Sequence, residues 1–273
     1  MSVYNLDFWG KSKIDYSIEF VKSFGESMLR VNPDDRLYVC FSGGKDSVVL
    51  AEIVRRSGVP FELHYNITGL DHPETMRFIR NYGGVIMHQH EKSFFQLLKE
   101  NKILPTRQVR YCCKYLKEGG GANRFVCTGV RWAESQRRKK NRHTFESGDH
   151  KVFFNDNDTF RRQIEFCTLK GRKVCNPIIQ WEDAEIWEFI RKEKLPYCEL
   201  YDQGKKRIGC MFCPMASKKE RLSDFEKYPK MANNIIKTLD YIQEQRLKNG
   251  ELKKERTGEK WFNIWINGGS FSD

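Results

Sequence analysis

Residues 41–50 read FSGGKDSVVL, and this stretch limits the possible folds more than any other. Before it, Leu37-Tyr38-Val39-Cys40-Phe41 is a run of strand formers; after it, Val48, Val49, Leu50, Ala51, Ile53 and Val54 make the apolar face of a helix. The polar segment is therefore a strand-to-helix turn. Such a turn aims several backbone N–H groups and the positive end of a helix dipole at one point, and Gly43 and Gly44 leave no Cβ to hold an anion off. Lys45 adds a point charge, and Ser42 and Ser47 add hydroxyl donors. The turn is a candidate phosphate cradle, weighed against a glycine turn that only caps a helix. Its spacing fits neither GxxxxGK[ST] nor GxGxxG.

The rest of the chain alternates in the same way. An amphipathic helix over 14–31 comes first, with Ile14, Ile18, Val21, Met28 and Leu29 near one face, expected to pack beside the nucleotide site. Strands are predicted at 61–66, 85–88 and 124–129, and helices at 73–82, opened by Pro73, and at 93–100. The order implies an α/β, Rossmann-like parallel sheet with helices on both faces and ligands at the carboxyl ends of the strands. Residues 141–172 loosen into a polar excursion, read as a hairpin. Residues 181–192 return to a helix, and one or two charged helices follow Met215. The aromatic end WFNIWINGG is expected to dock onto the body. The expected division is a nucleotide-binding domain over 1–215, including the N-terminal helix 1–34, and a small C-terminal helical extension over 216–273.

At 273 residues the chain can bury a full core. No apolar run approaches the ~20 residues of a membrane span and the first residues lack a signal pattern, so a cytoplasmic protein without membrane association is expected. A formal charge of +12 suggests an anionic partner larger than one nucleotide.

Nine cysteines without a secretory signal point to metal or sulfur chemistry rather than disulfides. Cys112-Cys113 and Cys210-x-x-Cys213 supply four thiolates, which suits tetrahedral zinc or a 4Fe-4S cluster. Adjacent cysteine side chains diverge, which favours the cluster, whose corners lie apart. Cys40 and Cys127 fall in apolar strands and read as small core residues. Cys167, Cys175 and Cys198 are open between structural and reactive roles.

SGGKDS resembles the PP-loop of ATP pyrophosphatases, which cut ATP between the alpha and beta phosphates. TGLDHPET (68–75), TRQVRYCCKYLK, TGVRWAESQRR and the stretch from NPIIQWEDAEIWEF to GKKRIGCMFC are, in that order, similar to the motifs of phosphoadenylyl-sulfate and adenylyl-sulfate reductases and their PP-loop relatives. The resemblance implies that Ser42, Gly43, Gly44, Lys45, Asp46 and Ser47 hold phosphates. It implies that Asp71, Glu134, Ser135 and Arg137 bind the nucleotide, and that Lys45, Asp46 and Arg131 carry the catalysis. It also implies that Cys112, Cys113, Cys210 and Cys213 hold a 4Fe-4S cluster with Lys117 offsetting its charge. Guanidinium forks suit phosphate independently of any resemblance.

Two departures turn the expectation away from sulfate reduction. Reductases carry a C-terminal tail cysteine that attacks the substrate sulfur, and no cysteine follows Cys213 here; reductases also tend to have a degraded loop, and this one keeps Lys45. The expected activity is ATP-dependent adenylation with Mg²⁺, in sulfur transfer to a nucleic acid, DNA or tRNA, with a sulfur donor protein. DNA phosphorothioation pyrophosphatases are the nearest analogy. A reductase that borrows another cysteine, such as Cys198, and a non-catalytic nucleotide or nucleic-acid sensor are the alternatives.

Overall fold

The computed structural model describes residues 2–147, 171–251 and 257–268. The chain forms two compact units, each discontinuous in sequence: Met1–Tyr65, Arg77–His88 and Gly120–Tyr201 make the first, and Asn66–Met76, Gln89–Gly119 and Asp202–Asp273 the second.

The first unit begins with α1 (Lys13–Val31). Its start is a reciprocal cap: the Asp15 N–H donates to the Ser12 hydroxyl and the Ser12 N–H to the Asp15 carboxylate. Ile14, Val21, Phe24 and Met28 are buried, Phe24 against Phe125 and Phe145, and the helix packs beside α2 (Lys45–Ser57). Among the described residues, six strands form one sheet in the order β3 (Val85–His88), β2 (Phe61–Asn66), β1 (Leu37–Cys40), β4 (Phe125–Cys127), β6 (Lys173–Cys175), β5 (Phe145–Ser147). β1 runs parallel to β2 and β4, with Val39 opposite both Leu63 and Cys127, and β4 runs parallel to β6, with Cys127 opposite Cys175. β5 closes the edge antiparallel, with Phe145 opposite Cys175. Consecutive Leu37, Tyr38 and Val39 are all buried, as a strand covered on both faces requires.

This is the α/β, mostly parallel architecture that the sequence predicts. The strand order reverses direction between β1 and β4, so the crevice beyond their carboxyl ends is the natural ligand position. β1 delivers the glycine turn there and β4 delivers Thr128-Gly129. The 141–172 excursion contributes β5, while its residues 148–170, Cys167 among them, lie outside the described residues.

In the second unit, α4 (Phe94–Asn101), α5 (Tyr111–Leu116), α8 (Lys218–Lys227), α9 (Pro229–Lys248) and α10 (Gly258–Asn267) surround one apolar core. Phe94, Leu98, Leu116, Phe212, Leu239, Phe262 and Trp265 belong to it. The aromatic end docks here as expected, and the Trp265 indole N–H donates to the Pro105 carbonyl at 2.7 Å. Three helices rather than one or two follow Met215 among the described residues, because the aromatic end is itself helical. No described helix is long and apolar enough to cross a membrane.

Candidate active site

The glycine turn lies between β1 and α2. Gly43 has φ +73°, a conformation that side-chain-bearing residues rarely adopt, and Gly44 is the N-cap of α2. Inside the turn, the Ser47 hydroxyl donates to the Gly44 carbonyl at 2.8 Å and the Ser42 hydroxyl lies 3.3 Å from that of Ser47. The first turn of α2 is closely backed: a Cβ on Gly129, just after β4, would come within 3.1 Å of the Asp46 carbonyl oxygen. The Lys45 N–H donates to the Tyr201 hydroxyl at 2.8 Å.

Four charges interlock at this helix end. Lys45 Nζ lies 3.3 Å from Asp46 Oδ2 and 3.2 Å from Oδ1 of Asp183, which opens helix α7 (Asp183–Lys192). Arg131 is 1% exposed, and its nitrogens are spent on Asp46 Oδ1 at 2.7 Å, the Trp181 carbonyl at 2.9 Å and Asp183 Oδ1. A guanidinium this deeply buried is tolerable because every edge has a partner. Burial acts to raise the Asp183 pKa, but bonds from Arg131 and the charge of Lys45 outweigh it and lower the pKa below the ordinary value. The lattice holds two anions beside two cations at the positive end of α2, and fixes Lys45 and Arg131 in orientation.

The cysteine pairs lie in the second unit. Cys112 and Cys113 open α5, and Cys210 and Cys213 flank a turn in which Phe212 has φ +56°. All four are half-buried, and Cys112 is within electrostatic reach of the other three. The Cys112 thiol bonds to Cys113, raising the first and lowering the second below its ordinary value; Lys117 and Arg110 add to the lowering. The Lys117 side chain is exposed along its length, but its ammonium meets Cys210 and Asp71, which together outweigh its desolvation and raise its pKa. Cys210 Sγ–H donates to Thr68 Oγ1 at 3.4 Å, and the Met211 N–H to the Leu70 carbonyl at 2.7 Å. Among the described residues, no group of three or more His, Cys, Asp or Glu is placed to hold a metal ion.

The structure thus brings Lys45, Asp46 and Arg131 together in the first unit, and the four cysteines with Lys117 in the second. Asp71, expected at the nucleotide, stands beside Cys210 and Lys117, with its carboxylate accepting from the Thr68 N–H and hydroxyl at 2.7 and 2.8 Å. Glu134 accepts from the Arg131 N–H and from Arg138; Ser135 caps α6 (Gln136–Asn141), on which Arg137 is exposed. Asp183 and Tyr201 were not singled out from the sequence. An acid in the first turn of a helix reads as an ordinary dipole partner, which hides Asp183. Nothing local marks Tyr201.

A phosphoadenosine phosphosulfate reductase domain matches residues 36–216, which include the glycine turn, the arginine loop and both cysteine pairs. The chain belongs to this family. The chain spans different shares of its relatives. An uncharacterized protein of Methanocaldococcus jannaschii is 28% identical over 257 residues, 87% of this chain and 48% of that protein, so the chain spans about half its length. An adenosine 5'-phosphosulfate reductase of Geobacillus kaustophilus is 30% identical over 192 residues, 66% of this chain and 73% of that protein. Among solved structures, the phosphoadenylyl-sulfate reductase of Candida auris in its phosphate complex aligns with a TM-score of 0.42 and 19% identity, over 77% of this chain and 98% of that chain.

Proposed function

We propose that this protein is an ATP pyrophosphatase that adenylates an acceptor in a sulfur-transfer reaction. The observation that carries the reading is the Lys45–Asp46–Arg131–Asp183 lattice at the head of α2. The turn amides and Lys45 hold the beta and gamma phosphates, and Ser42 and Ser47 add hydroxyls. Arg131, too buried to reach far, orients the Asp46 carboxylate. Asp46, with 20% of its side chain exposed, offers the hard oxygen that Mg²⁺ prefers. An acceptor oxygen attacks the alpha phosphorus, the bond to the bridging oxygen breaks, and pyrophosphate leaves with its charge offset by Lys45. Glu134, Ser135 and Arg137 are assigned to the closing side of the nucleotide.

Cys112, Cys113, Cys210 and Cys213 are assigned to a 4Fe-4S cluster. Four half-buried thiols, with Cys112 in electrostatic reach of the other three, supply the thiolates that such a cluster takes, and Lys117 offsets its negative charge. When bound, such a cluster supplies electrons or an iron that carries sulfur. The +12 charge and the exposed bases of α6 support a nucleic acid, DNA or tRNA, as acceptor, in the manner of DNA phosphorothioation pyrophosphatases, with sulfur delivered by a donor protein.

The test is anaerobic incubation of iron-loaded protein with alpha-labelled ATP and Mg²⁺, with and without nucleic acid. AMP and pyrophosphate are expected from wild type and none from Lys45→Ala, whose iron content stays normal. No AMP under any condition, or unchanged turnover in Lys45→Ala, refutes the reading. The Geobacillus relative favours one second reading, reduction of adenylyl sulfate. Against it, Cys198, the thiol that such a reaction could borrow, is fully buried. Thioredoxin-dependent release of sulfite would establish it.

A further inference from the structure

We propose that the Tyr201 hydroxyl is the resident occupant of the leading amide of the phosphate cradle, exchanged for a phosphate oxygen when a polyphosphate binds, so that Tyr201 sets the affinity of the site. The inference rests on reading the glycine turn as a phosphate cradle.

The geometry is specific. The Lys45 N–H is the first amide of α2 and donates to Tyr201 Oη at 2.8 Å, across 156 residues of sequence. A Cβ built on Gly44 would lie 3.4 Å from the same oxygen, so the hydroxyl stands over the face that the glycines keep open. Two of the amides that follow are spent inside the helix: those of Ser47 and Val48 donate to the Gly44 carbonyl at 3.0 and 3.1 Å. The Gly44 N–H has only a long contact, 3.4 Å, to the Ser42 hydroxyl. A phosphate oxygen that seeks the Lys45 amide therefore meets a phenol already on it.

The tyrosine is built to give way. Its base is fixed, since its N–H donates to the Cys198 carbonyl at 3.1 Å and its ring meets Trp187 edge to face at 5.0 Å. The residue is only half-buried, and the proposed exchange moves its hydroxyl off the amide towards the exposed side. A neutral phenol oxygen is a weaker acceptor than a phosphate oxygen, because a charge-assisted bond is about twice as strong and the helix dipole favours the anion. The exchange runs towards phosphate because a charge-assisted bond at the Lys45 amide replaces a neutral one.

Removing that bond should tighten the site. Pyrophosphate is titrated calorimetrically into wild type, Tyr201→Phe and Lys45→Ala, with near-ultraviolet circular dichroism and a thermal melt confirming that each is folded. Tyr201→Phe keeps the ring and is expected to bind pyrophosphate about fivefold more tightly, the equivalent of about 1 kcal/mol. Equal or weaker binding overturns the exchange. Lys45→Ala separates the two ideas. If it loses binding while Tyr201→Phe matches wild type, only the role of Tyr201 falls; if it binds as tightly as wild type, the cradle reading itself fails. Amide exchange at Lys45 is a second readout. It should be faster in Tyr201→Phe without ligand and equal in the two proteins at saturating pyrophosphate. A difference that persists at saturation means that the hydroxyl never leaves, which also overturns the proposal.

Discussion

Two cations and two carboxylates share the space at the head of α2, so removing one charge there has a calculable sign. Asp183 is the natural choice, because its side chain is 69% exposed and its loss leaves Asp46 to hold both Lys45 and Arg131. Asp183→Asn keeps the shape and removes a negative charge. In Mg²⁺-free buffer it should bind pyrophosphate about two- to fivefold more tightly, a screened effect of about 0.5–1 kcal/mol. Weaker binding, by calorimetry, would show that the carboxylate does more than balance charge. A second residue ties stability to pH. Burial, His88 and Arg124 push the His64 pKa from 6.5 to about 4, with Glu62 opposing. The ring stacks on Tyr38 at 3.7 Å and its Nδ1 lies 2.8 Å from His88 Nε2. The unfolded chain then binds a proton that the folded one refuses between pH 6.5 and 4, so stability is intact above 6.5 and falls by about 3 kcal/mol as pH drops through that window. His64→Phe keeps the stack and should flatten the decline in urea melts at pH 7 and 4.5; an unchanged decline would assign it to other groups.

At the scale of elements, the cysteine turn depends on a helix that carries no cysteine. Phe212 takes a left-handed φ between Cys210 and Cys213, which costs a non-glycine residue about 1–2 kcal/mol, and its N–H donates to Asp224 of α8 at 3.1 Å. Asp224 is buried and also binds Lys205 and His72, which reaches the Gly209 carbonyl at 3.1 Å. Asp224→Ala would leave a buried amide without its acceptor and should lower iron retained per chain several-fold after anaerobic reconstitution, while Asp224→Asn, which keeps an oxygen for Phe212, should lose less. Full iron in Asp224→Ala would show that the turn holds its shape unaided. Nothing in the sequence marks Asp224, because its partners lie 12 to 152 residues away. The long elements were legible because their apolar periods are strong: α1, β1, α2 and β2 follow the pattern of Ile14, Val21, Val39, Val49 and Leu63. β6 is three residues long and α5 six, with no side-chain cap at Arg110 to announce it, so neither is long enough to complete its period twice. The phosphate turn was legible because its chemistry is local. Asp183 and Tyr201 were not, since each acts on residues brought near only by the fold.

The whole molecule carries a +12 charge that no single nucleotide requires. Its units are also discontinuous in sequence: segments 66–76 and 89–119 join the C-terminal helices, an interleaving that a linear reading of composition cannot reveal. Within the first unit, basic surface gathers on α6, where Arg137, Lys139 and Lys140 are exposed while Arg138 is turned to Glu134. Phosphate contacts of this kind release counterions, so each neutralised phosphate contributes about −0.9 to the slope of log K against log salt on duplex DNA and about −0.7 on single strands. If α6 supplies the contact, replacing Arg137, Lys139 and Lys140 with alanine should reduce the magnitude of that slope by about 2 to 3 and weaken binding across sequences alike. Fluorescence anisotropy on duplex DNA and on a tRNA from 50 to 200 mM salt measures both. The double variant Lys139→Ala/Lys140→Ala, which leaves Arg137 to the nucleotide, should keep the Lys45-dependent cleavage of ATP, because neither side chain belongs to the lattice around Lys45 and Arg131. An unchanged slope would move the nucleic-acid surface away from α6 and leave the adenylation chemistry to be judged by ATP cleavage alone.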